Sequence, residues 1–127
     1  MNKILVVDDQ ESIQQLMNDI LTEAGYIVKC TSSGEEALEM LKKEDFHVFF
    51  LDLQLPGMDG LELCRRIRKE RIAECIYAIT GYTSIYDFLE CRKAGFDDYF
   101  VKPLNIHLII KAADEGFEKI IRWTKDI

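Results

Sequence analysis

This sequence lacks any long hydrophobic run, and its apolar stretches are far too short to cross a lipid bilayer. Its first seven residues do not combine a basic region, an apolar segment and a small-residue cleavage site, as a secretory signal would. Two prolines and seven glycines among 127 residues leave no low-complexity tract or flexible linker. These absences favour a cytoplasmic protein with no membrane partner, folded as a single domain over residues 1–127.

Basic residues are scarce relative to acidic ones, since 16 lysines and arginines stand against 23 acidic residues and the formal net charge is −7. Such a charge is unfavourable for binding the phosphate backbone of nucleic acid, so no direct nucleic-acid partner is expected. Cysteine is present without a C-x-x-C pair, which argues against a zinc site. We expect free thiols that serve as small packing residues at Cys30, Cys64, Cys75 and Cys91.

What the sequence does contain is a set of short apolar runs that each lead into polar residues. Runs at 48–51, 4–7, 76–79 and 99–101 lead into Asp52, into Asp8 and Asp9, into Thr80 and into Lys102, respectively. Continuous apolar runs of this length are typical of strands buried on both faces of a parallel sheet. Open α/β sheets bind ligands outside the carboxyl ends of their strands. The sequence therefore predicts three carboxylates, a hydroxyl and an ammonium group at one edge of one sheet.

Amphipathic helical patterns follow the predicted strands. Ser33 and Glu36 form a capping box for the second helix, and Asp59 is placed to cap the third. Gly25 and Gly95 follow the first and fourth helices, as glycine commonly does at a helix C-terminus. Five strands alternating with five helices predict a doubly wound (βα)5 fold of the α/β class, a three-layer sandwich with a parallel five-stranded sheet in the middle.

The last helical pattern has the longest apolar stripe, and Gly116 interrupts it. A glycine inside a helix costs about 1 kcal/mol relative to alanine, so we expect the helix to end anywhere from Gly116 to Lys125. Residues 118–127 are then either a helical extension or the start of a linker. The apolar residues of this segment also follow the 4-3 spacing of a coiled-coil seam. The stripe can therefore serve either core packing within the domain or a dimerising helix. The seam positions are Ile106, Ile110, Ala113, Phe117, Ile120, Thr124 and Ile127.

Three carboxylates brought together repel one another, and a divalent cation removes that repulsion. A site with few protein carboxylates, and with room for water and a phosphate oxygen, suits Mg²⁺ better than Ca²⁺, and hard oxygen ligands argue against soft metals. An ionised aspartate beside such an ion is a competent nucleophile toward a phosphoryl group. An ammonium group and a hydroxyl stabilise the charge that develops on the phosphoryl oxygens. The residue types predict phosphoryl chemistry at Asp52.

The sequence resembles the receiver domain of two-component response regulators, the chemotaxis-type phospho-acceptor fold. The matching segments are residues 6–9 (VVDD), 51–60 (LDLQLPGMDG), 79–80 (IT) and 94–103 (AGFDDYFVKP). The resemblance covers essentially the whole chain and implies a flavodoxin-like fold with strand order 2-1-3-4-5. It also implies a phosphorelay protein that receives its phosphoryl group from a histidine kinase or a histidine phosphotransfer protein. Such a chain has no conventional external substrate and catalyses its own Mg²⁺-dependent phosphorylation and dephosphorylation.

The resemblance assigns a role to each residue of the predicted edge. Asp52 is implied to be the phosphorylated residue, and Lys102 to pair with the phosphoryl oxygens. Asp8, Asp9, Asp52 and the backbone carbonyl of Gln54 are implied to hold Mg²⁺, with Mn²⁺ as an alternative ion. Asp9 would bind the ion directly and Asp8 partly through water. The peptide bond between Lys102 and Pro103 is expected to be cis.

The resemblance further implies a switch. Thr80 would donate its hydroxyl to the phosphoryl group, and Tyr99 would turn inward as Thr80 moves. The face formed by helix 4, strand 5 and helix 5 would then change shape for a downstream protein partner or for an output domain beyond these residues. A homodimer through this face or through the extended last helix is a further option. Gln54 and Tyr82 occupy positions that help set the lifetime of the phosphoryl group, and the bulky Tyr82 is predicted to restrict the attacking water.

Two other interpretations compete with this one. A Mg²⁺-dependent phosphatase with an aspartate nucleophile usually carries a second acid two residues later, where this sequence has Gln54, and a substrate cap that is lacking here. A pseudo-receiver, which only binds partners, is expected to have lost one of the five edge residues, and all five are present. Taken singly, Asp8 or Asp9 could cap the first helix, Thr80 could be a turn residue and Tyr99 a plain core aromatic. His47 and His107 are predicted to be surface residues away from the acidic edge.

Overall fold

The computed structural model describes residues 2–70, 74–81 and 85–125, with side chains omitted at 85–87. Strands and helices alternate along the described chain: β1 (Lys3–Val7), α1 (Glu11–Glu23), β2 (Ile27–Thr31), α2 (Gly34–Leu41), β3 (Val48–Asp52), α3 (Gly60–Glu70), β4 (Cys75–Thr80), α4 (Ile85–Ala94), β5 (Asp98–Val101) and α5 (Ile106–Thr124). The five strands form one sheet in the order β2-β1-β3-β4-β5, and each neighbouring pair is parallel. The predicted doubly wound fold and the 2-1-3-4-5 order are confirmed.

Every residue of the central strand β3 and of its neighbour β4 is buried, whereas the outer strands β2 and β5 are partly exposed. Successive side chains of a strand point to opposite faces of the sheet. Phe49 of β3 accordingly packs with residues of α2, α3 and α4, and Phe50 packs with residues of α1 and α5. Helices thus cover both faces, which explains why the central strands are continuous apolar runs.

Local capping follows the sequence closely. The Ser33 hydroxyl oxygen accepts a 3.2 Å hydrogen bond from the backbone N–H of Glu36 at the start of α2. Asp59 accepts a 2.9 Å bond from the backbone N–H of Glu62 at the start of α3. Gly25 and Gly95 have positive φ angles of 102° and 107°, which glycine adopts without steric cost. The predicted starts of α2 and α3, and the predicted ends of α1 and α4, are confirmed to within two residues.

Helix α5 ends at Thr124, inside the range that the sequence allowed. A Cβ at Gly116 would lie 3.0 Å from the Tyr77 hydroxyl and 3.2 Å from Val48, so this glycine lets α5 approach the sheet closely. The coiled-coil positions Ala113, Phe117 and Ile120 are buried within the chain, as core packing requires. The seam position Ile127 lies outside the described residues. Within the described ranges, no helix combines the length and apolarity that a bilayer crossing needs.

Helix α4 packs differently from what its apolar residues suggest. Phe88 and Leu89 are 43% and 52% exposed, whereas the small residues Cys91 and Ala94 are buried. The Phe88 ring meets the Tyr99 ring edge-on, with 6.0 Å between the centroids. Among the described side chains of this helix, the small ones are therefore buried, and the large apolar Phe88 and Leu89 lie toward solvent. The four cysteines, all of them among the described residues, form no disulfide, and three of them are buried.

Candidate functional site

The carboxyl ends of β1, β3, β4 and β5 bring the predicted site residues to one edge of the sheet. Asp52 and Thr80 are the last residues of β3 and β4, and Lys102 directly follows β5. The parallel register pairs Asp52 with Ile79, and Thr80 with Val101, so the strand ends lie level with one another. The edge predicted from the apolar runs is therefore present in the folded chain.

Three carboxylates converge at this edge. Asp8, Asp9 and Asp52 each offer one oxygen, and these oxygens all lie within 4.8 Å of one another. Asp8 and Asp52 are buried, and Asp9 is exposed. The Lys102 ammonium lies 2.9 Å from Asp8 Oδ2 and 3.2 Å from Asp52 Oδ2. When all three carboxylates are ionised, they and the Lys102 ammonium together carry a net charge of −2, which a divalent cation would neutralise.

The electrostatics of the edge reflect this imbalance. Burial raises the pKa of the Asp52 carboxyl above its usual value; the Gln54 N–H opposes this shift, the Asp8 charge adds to it, and Lys102 opposes it. Burial would lower the pKa of the Lys102 ammonium, but its hydrogen bond to Asp8 and the charges of Asp8 and Asp52 raise it overall. Lys102 is therefore firmly cationic, and it only partly compensates the carboxylates.

The donor set fits a hard divalent cation. Asp8 Oδ2 is buried and, apart from its ion pair with Lys102, has no well-aligned hydrogen-bond donor among the described residues. The neighbouring carboxylates supply further oxygen ligands, and the exposed Asp9 leaves one side open to water. Mg²⁺ prefers a few carboxylate oxygens together with water and phosphate oxygens. The edge has this composition.

Two glutamines contact the site in ways that the sequence did not reveal. The Gln10 backbone N–H donates a 2.8 Å hydrogen bond to Asp8 Oδ1, and its side-chain oxygen accepts a 2.9 Å bond from the Lys102 ammonium. The Gln14 side chain donates a 2.6 Å bond to the backbone oxygen of Asp8. The available signal was weak, namely a polar residue directly after the acidic pair, at a helix start where glutamine is not a preferred cap.

The N-terminus of α3 packs directly against the end of β3. A Cβ at Gly60 would lie only 2.2 Å from the backbone oxygen of Asp52 and 2.8 Å from the Cα of Leu53. The Gly60 N–H also donates a 3.1 Å hydrogen bond to the Leu53 oxygen. Gly60 therefore lets the start of α3 pack directly against the backbone of Asp52 and Leu53.

The remaining predicted residues lie around this centre. Thr80 is fully buried, and its backbone oxygen accepts a 2.7 Å hydrogen bond from the Lys102 N–H. The Gln54 backbone N–H donates a 3.0 Å bond to Asp52 Oδ1. The half-buried Tyr99 packs against α4, and the Lys102–Pro103 peptide bond is cis. Roles for Thr80 and Tyr99 in switching, and for the Gln54 carbonyl as a ligand, stay predictions.

Three further predictions concern Tyr82 and the two histidines. Tyr82, proposed to restrict water, lies outside the described residues. His47 lies at the opposite edge of the sheet, where its carbonyl accepts a 2.9 Å bond from Cys75 N–H and its Nδ1 lies 3.0 Å from Glu74. His107 is exposed on the first turn of α5. The two histidines therefore occupy positions of the kind that the sequence predicted.

Comparisons with known proteins agree with this geometry. A family model described as the response regulator receiver domain matches residues 4–114. The alkaline phosphatase synthesis transcriptional regulatory protein PhoP of Bacillus subtilis is 39% identical over 103 residues, which are 81% of this chain and 43% of that protein. The chain thus spans less than half the length of this relative.

Solved structures show the same similarity. A CheY-like receiver domain from Methanospirillum hungatei has a TM-score of 0.90 and 30% identity, over 96% of this chain and 98% of that one. The BeF3-activated receiver domain of DrrB, a Thermotoga maritima protein, has a TM-score of 0.86 and 34% identity, over 93% of this chain and 98% of that one. The chain belongs to the response regulator receiver domain family, whose general function is phosphorylation on aspartate and whose members generally bind Mg²⁺ at the acidic edge formed here by Asp8, Asp9 and Asp52.

Proposed function

We propose that this chain is the phospho-acceptor of a two-component phosphorelay and receives a phosphoryl group on Asp52. The donor is the phosphohistidine of a histidine kinase or of a histidine phosphotransfer protein. The observation that carries this proposal is the position of the Asp52 carboxylate, buried at a strand end 3.2 Å from the Lys102 ammonium and beside two more carboxylates.

The chemistry follows from the groups at the edge. A carboxylate oxygen of Asp52 attacks phosphorus, the bond between phosphorus and the donor imidazole breaks, and its electron pair stays on the imidazole. The Lys102 ammonium stabilises the negative charge on the phosphoryl oxygens. Asp8, Asp9, Asp52 and the Gln54 carbonyl would hold Mg²⁺, or Mn²⁺ in its place, and the bound ion would neutralise further charge on the phosphoryl group. Hydrolysis of the aspartyl phosphate resets the domain, and Gln54 and Tyr82 help to set its rate.

The switch uses connections between the edge and the neighbouring strands. The aspartyl phosphate carries about −1.5 to −2 charge in place of the −1 of the Asp52 carboxylate, and its oxygens attract the Thr80 hydroxyl and the Lys102 ammonium. The backbone bond between Lys102 and Thr80 couples the ends of β4 and β5. Tyr99 then repacks against α4, and the α4-β5-α5 face changes shape. A partner that prefers the new shape shifts the population toward it.

The output acts through protein contacts in the cytoplasm. The α4-β5-α5 face carries half-exposed apolar side chains that a partner can cover: Phe88, Leu89, Val101, Ile106 and Leu108. PhoP, in which the matching segment is 43% of the length, is a transcriptional regulatory protein. By analogy, a linked output domain is one recipient of the signal, a separate protein is another, and a homodimer through this face or α5 is a third. In each case residues 1–127 form the single receiver domain, with 118–127 as its helical extension or the start of a linker.

The experiment that tests the proposal is intact-mass spectrometry after incubation with acetyl phosphate and Mg²⁺. The wild-type chain is compared with Asp52→Asn, with an EDTA-treated sample, and with Asp19→Asn, which changes an exposed aspartate of α1 away from the edge. We expect one added phosphoryl group in the wild type and in Asp19→Asn, and none in the other two samples.

Persistence of the adduct in Asp52→Asn would move the acceptor to another residue. Failure of the wild type to bind the phosphoryl mimic beryllofluoride with Mg²⁺, together with the absence of any adduct, would support the pseudo-receiver interpretation. The mimic is needed because a very short-lived adduct would escape detection by mass.

A further inference from the structure

The Lys102 ammonium has three N–H donors, and the described residues surround it with three oxygen acceptors. Asp8 Oδ2 lies at 2.9 Å, Asp52 Oδ2 at 3.2 Å and Gln10 Oε1 at 2.9 Å. The first two acceptors are charged members of the carboxylate cluster. Gln10 supplies an uncharged acceptor from outside that cluster.

Gln10 sits at a position where a different residue would better serve the helix. It is the N-cap of α1, with an extended backbone, and its side chain makes no capping hydrogen bond. Serine, threonine, asparagine or aspartate is preferred at an N-cap because the short side chain accepts a bond from the first turn. The Gln10 side chain reaches Lys102 instead, while its backbone N–H bonds Asp8.

We propose that Gln10 is a positioning residue whose side-chain oxygen holds the Lys102 ammonium at the acidic edge. The inference rests on the proposed role of Lys102 in pairing with phosphoryl oxygens. When Asp52 is phosphorylated, Lys102 exchanges a carboxylate oxygen for a phosphoryl oxygen. An acceptor outside the carboxylate cluster keeps one N–H bound during that exchange, and a neutral one does so without adding to the charge repulsion among the acids.

Four variants separate this role from a structural one. Gln10→Met keeps the length of the side chain and removes the acceptor. Gln10→Ser also removes the acceptor, but supplies the N-cap bond that glutamine does not make, so α1 is expected to be more stable. Gln10→Glu keeps an acceptor oxygen. Gln15→Met is the matched control, because the Gln15 amide bonds Asp19 on the exposed side of α1.

The primary measurement is the exchange of the lysine ammonium protons with water, followed by NMR on metal-free protein with ¹⁵N-labelled lysine. The Lys102 signal is identified by its loss in Lys102→Met. A net hydrogen bond changes an equilibrium by roughly two- to tenfold. We therefore expect the exchange rate of the Lys102 ammonium protons to rise by roughly two- to tenfold in Gln10→Ser and Gln10→Met. Gln15→Met should exchange as the wild type does, Gln10→Glu should exchange no faster because it keeps an acceptor, and Gln10→Ser should melt no lower than the wild type.

A second measurement follows phosphorylation against acetyl phosphate concentration. The plateau rate is expected to fall in Gln10→Ser and Gln10→Met by the factor seen in exchange, with the half-saturating concentration unchanged. Unchanged exchange at Lys102 in both variants, in a chain that does accept a phosphoryl group, would overturn the positioning role and leave the proposed function intact. If Lys102 exchanges faster in Gln10→Ser and Gln10→Met but the wild-type chain accepts no phosphoryl group, the contact between Gln10 and Lys102 is supported and the proposed function is refuted.

Discussion

Replacing Gly60 by alanine tests how the end of β3 is held. The added Cβ would lie 2.2 Å from the Asp52 backbone oxygen, whereas ordinary contacts of this kind begin at 3.4 Å. Backbone atoms cannot rotate aside as a flexible side chain can, so α3 and the end of β3 must separate by about 1 Å. Overpacking in a tight interior costs about 1–3 kcal/mol, and we expect the upper end of that range.

A smaller effect opposes this cost. Alanine is favoured over glycine in a helix by about 1 kcal/mol, so the net loss of unfolding free energy is about 2 kcal/mol. For a domain of this size that corresponds to a fall in Tm of about 8 °C. A displacement of about 1 Å at Asp52 should also slow phosphorylation, on the order of 10²-fold.

The assay is urea unfolding beside the rate of phosphorylation by acetyl phosphate. Gly81→Ala is the matched control, because a Cβ there meets no described heavy atom within 4 Å and should leave stability equal or slightly higher. If Gly60→Ala unfolded at the same urea concentration as Gly81→Ala and kept the wild-type rate, the reasoning about contact at Asp52 would be refuted.

Three further outcomes are expected. Asp97→Ala should lower the unfolding free energy measured in urea by about 2–4 kcal/mol, because this carboxylate accepts 2.7 Å hydrogen bonds from the Arg68 side chain and from the Ile76 backbone N–H. Glu62→Ala, which removes an exposed ion pair, should leave the unfolding midpoint unchanged, and equal losses in the two variants would contradict this ranking. Burial raises the pKa of the Cys64 thiol to about 12, so only about one part in 10⁴ of this thiol is thiolate at pH 8. A disulfide reagent should therefore label the half-buried Cys30 before Cys64. Equal labelling rates of the two cysteines in the folded protein would count against the burial of Cys64. Mg²⁺ at about 100 times its Kd should add about 2.7 kcal/mol to the unfolding free energy. A gain that survives in Asp9→Ala would place the ion elsewhere, and one that survives EDTA would not be due to the ion.

The central strands could be predicted because burial on both faces leaves a direct mark on the sequence. Phe49 and Phe50 point to opposite faces, yet both are fully buried, so the run is apolar without interruption. Caps such as Ser33 and Asp59 depend on bonds three residues apart, and local sequence records them well. The outer helix α4 was less predictable, because the large side chain of Phe88 lies half-exposed and the smaller Cys91 is buried.

The candidate site likewise contains residues that could be predicted from the sequence and a contact that could not. Asp8, Asp52 and Lys102 could be brought together from sequence, since strand ends in a parallel sheet share an edge. The contact between Gln10 and Lys102 joins residues 92 positions apart, and no local pattern encodes it. Whether the Gln10 side chain caps its helix or reaches across the edge depends on where the end of β5 lies, and the assembled sheet determines that position.

By itself the sequence determined the order of elements, the apolar centre of the sheet and the polar residues at the strand ends, because these follow from local periodicity and from hydrophobic burial. Only the tertiary structure decided the distances at that edge: the shared ammonium between Asp8 and Asp52, and the close approach of Gly60 to the Asp52 backbone. These distances arise from the packing of helices and strands that are far apart in the chain. Side-chain identity sets what such groups can do, and the relative placement of the elements sets which of them meet.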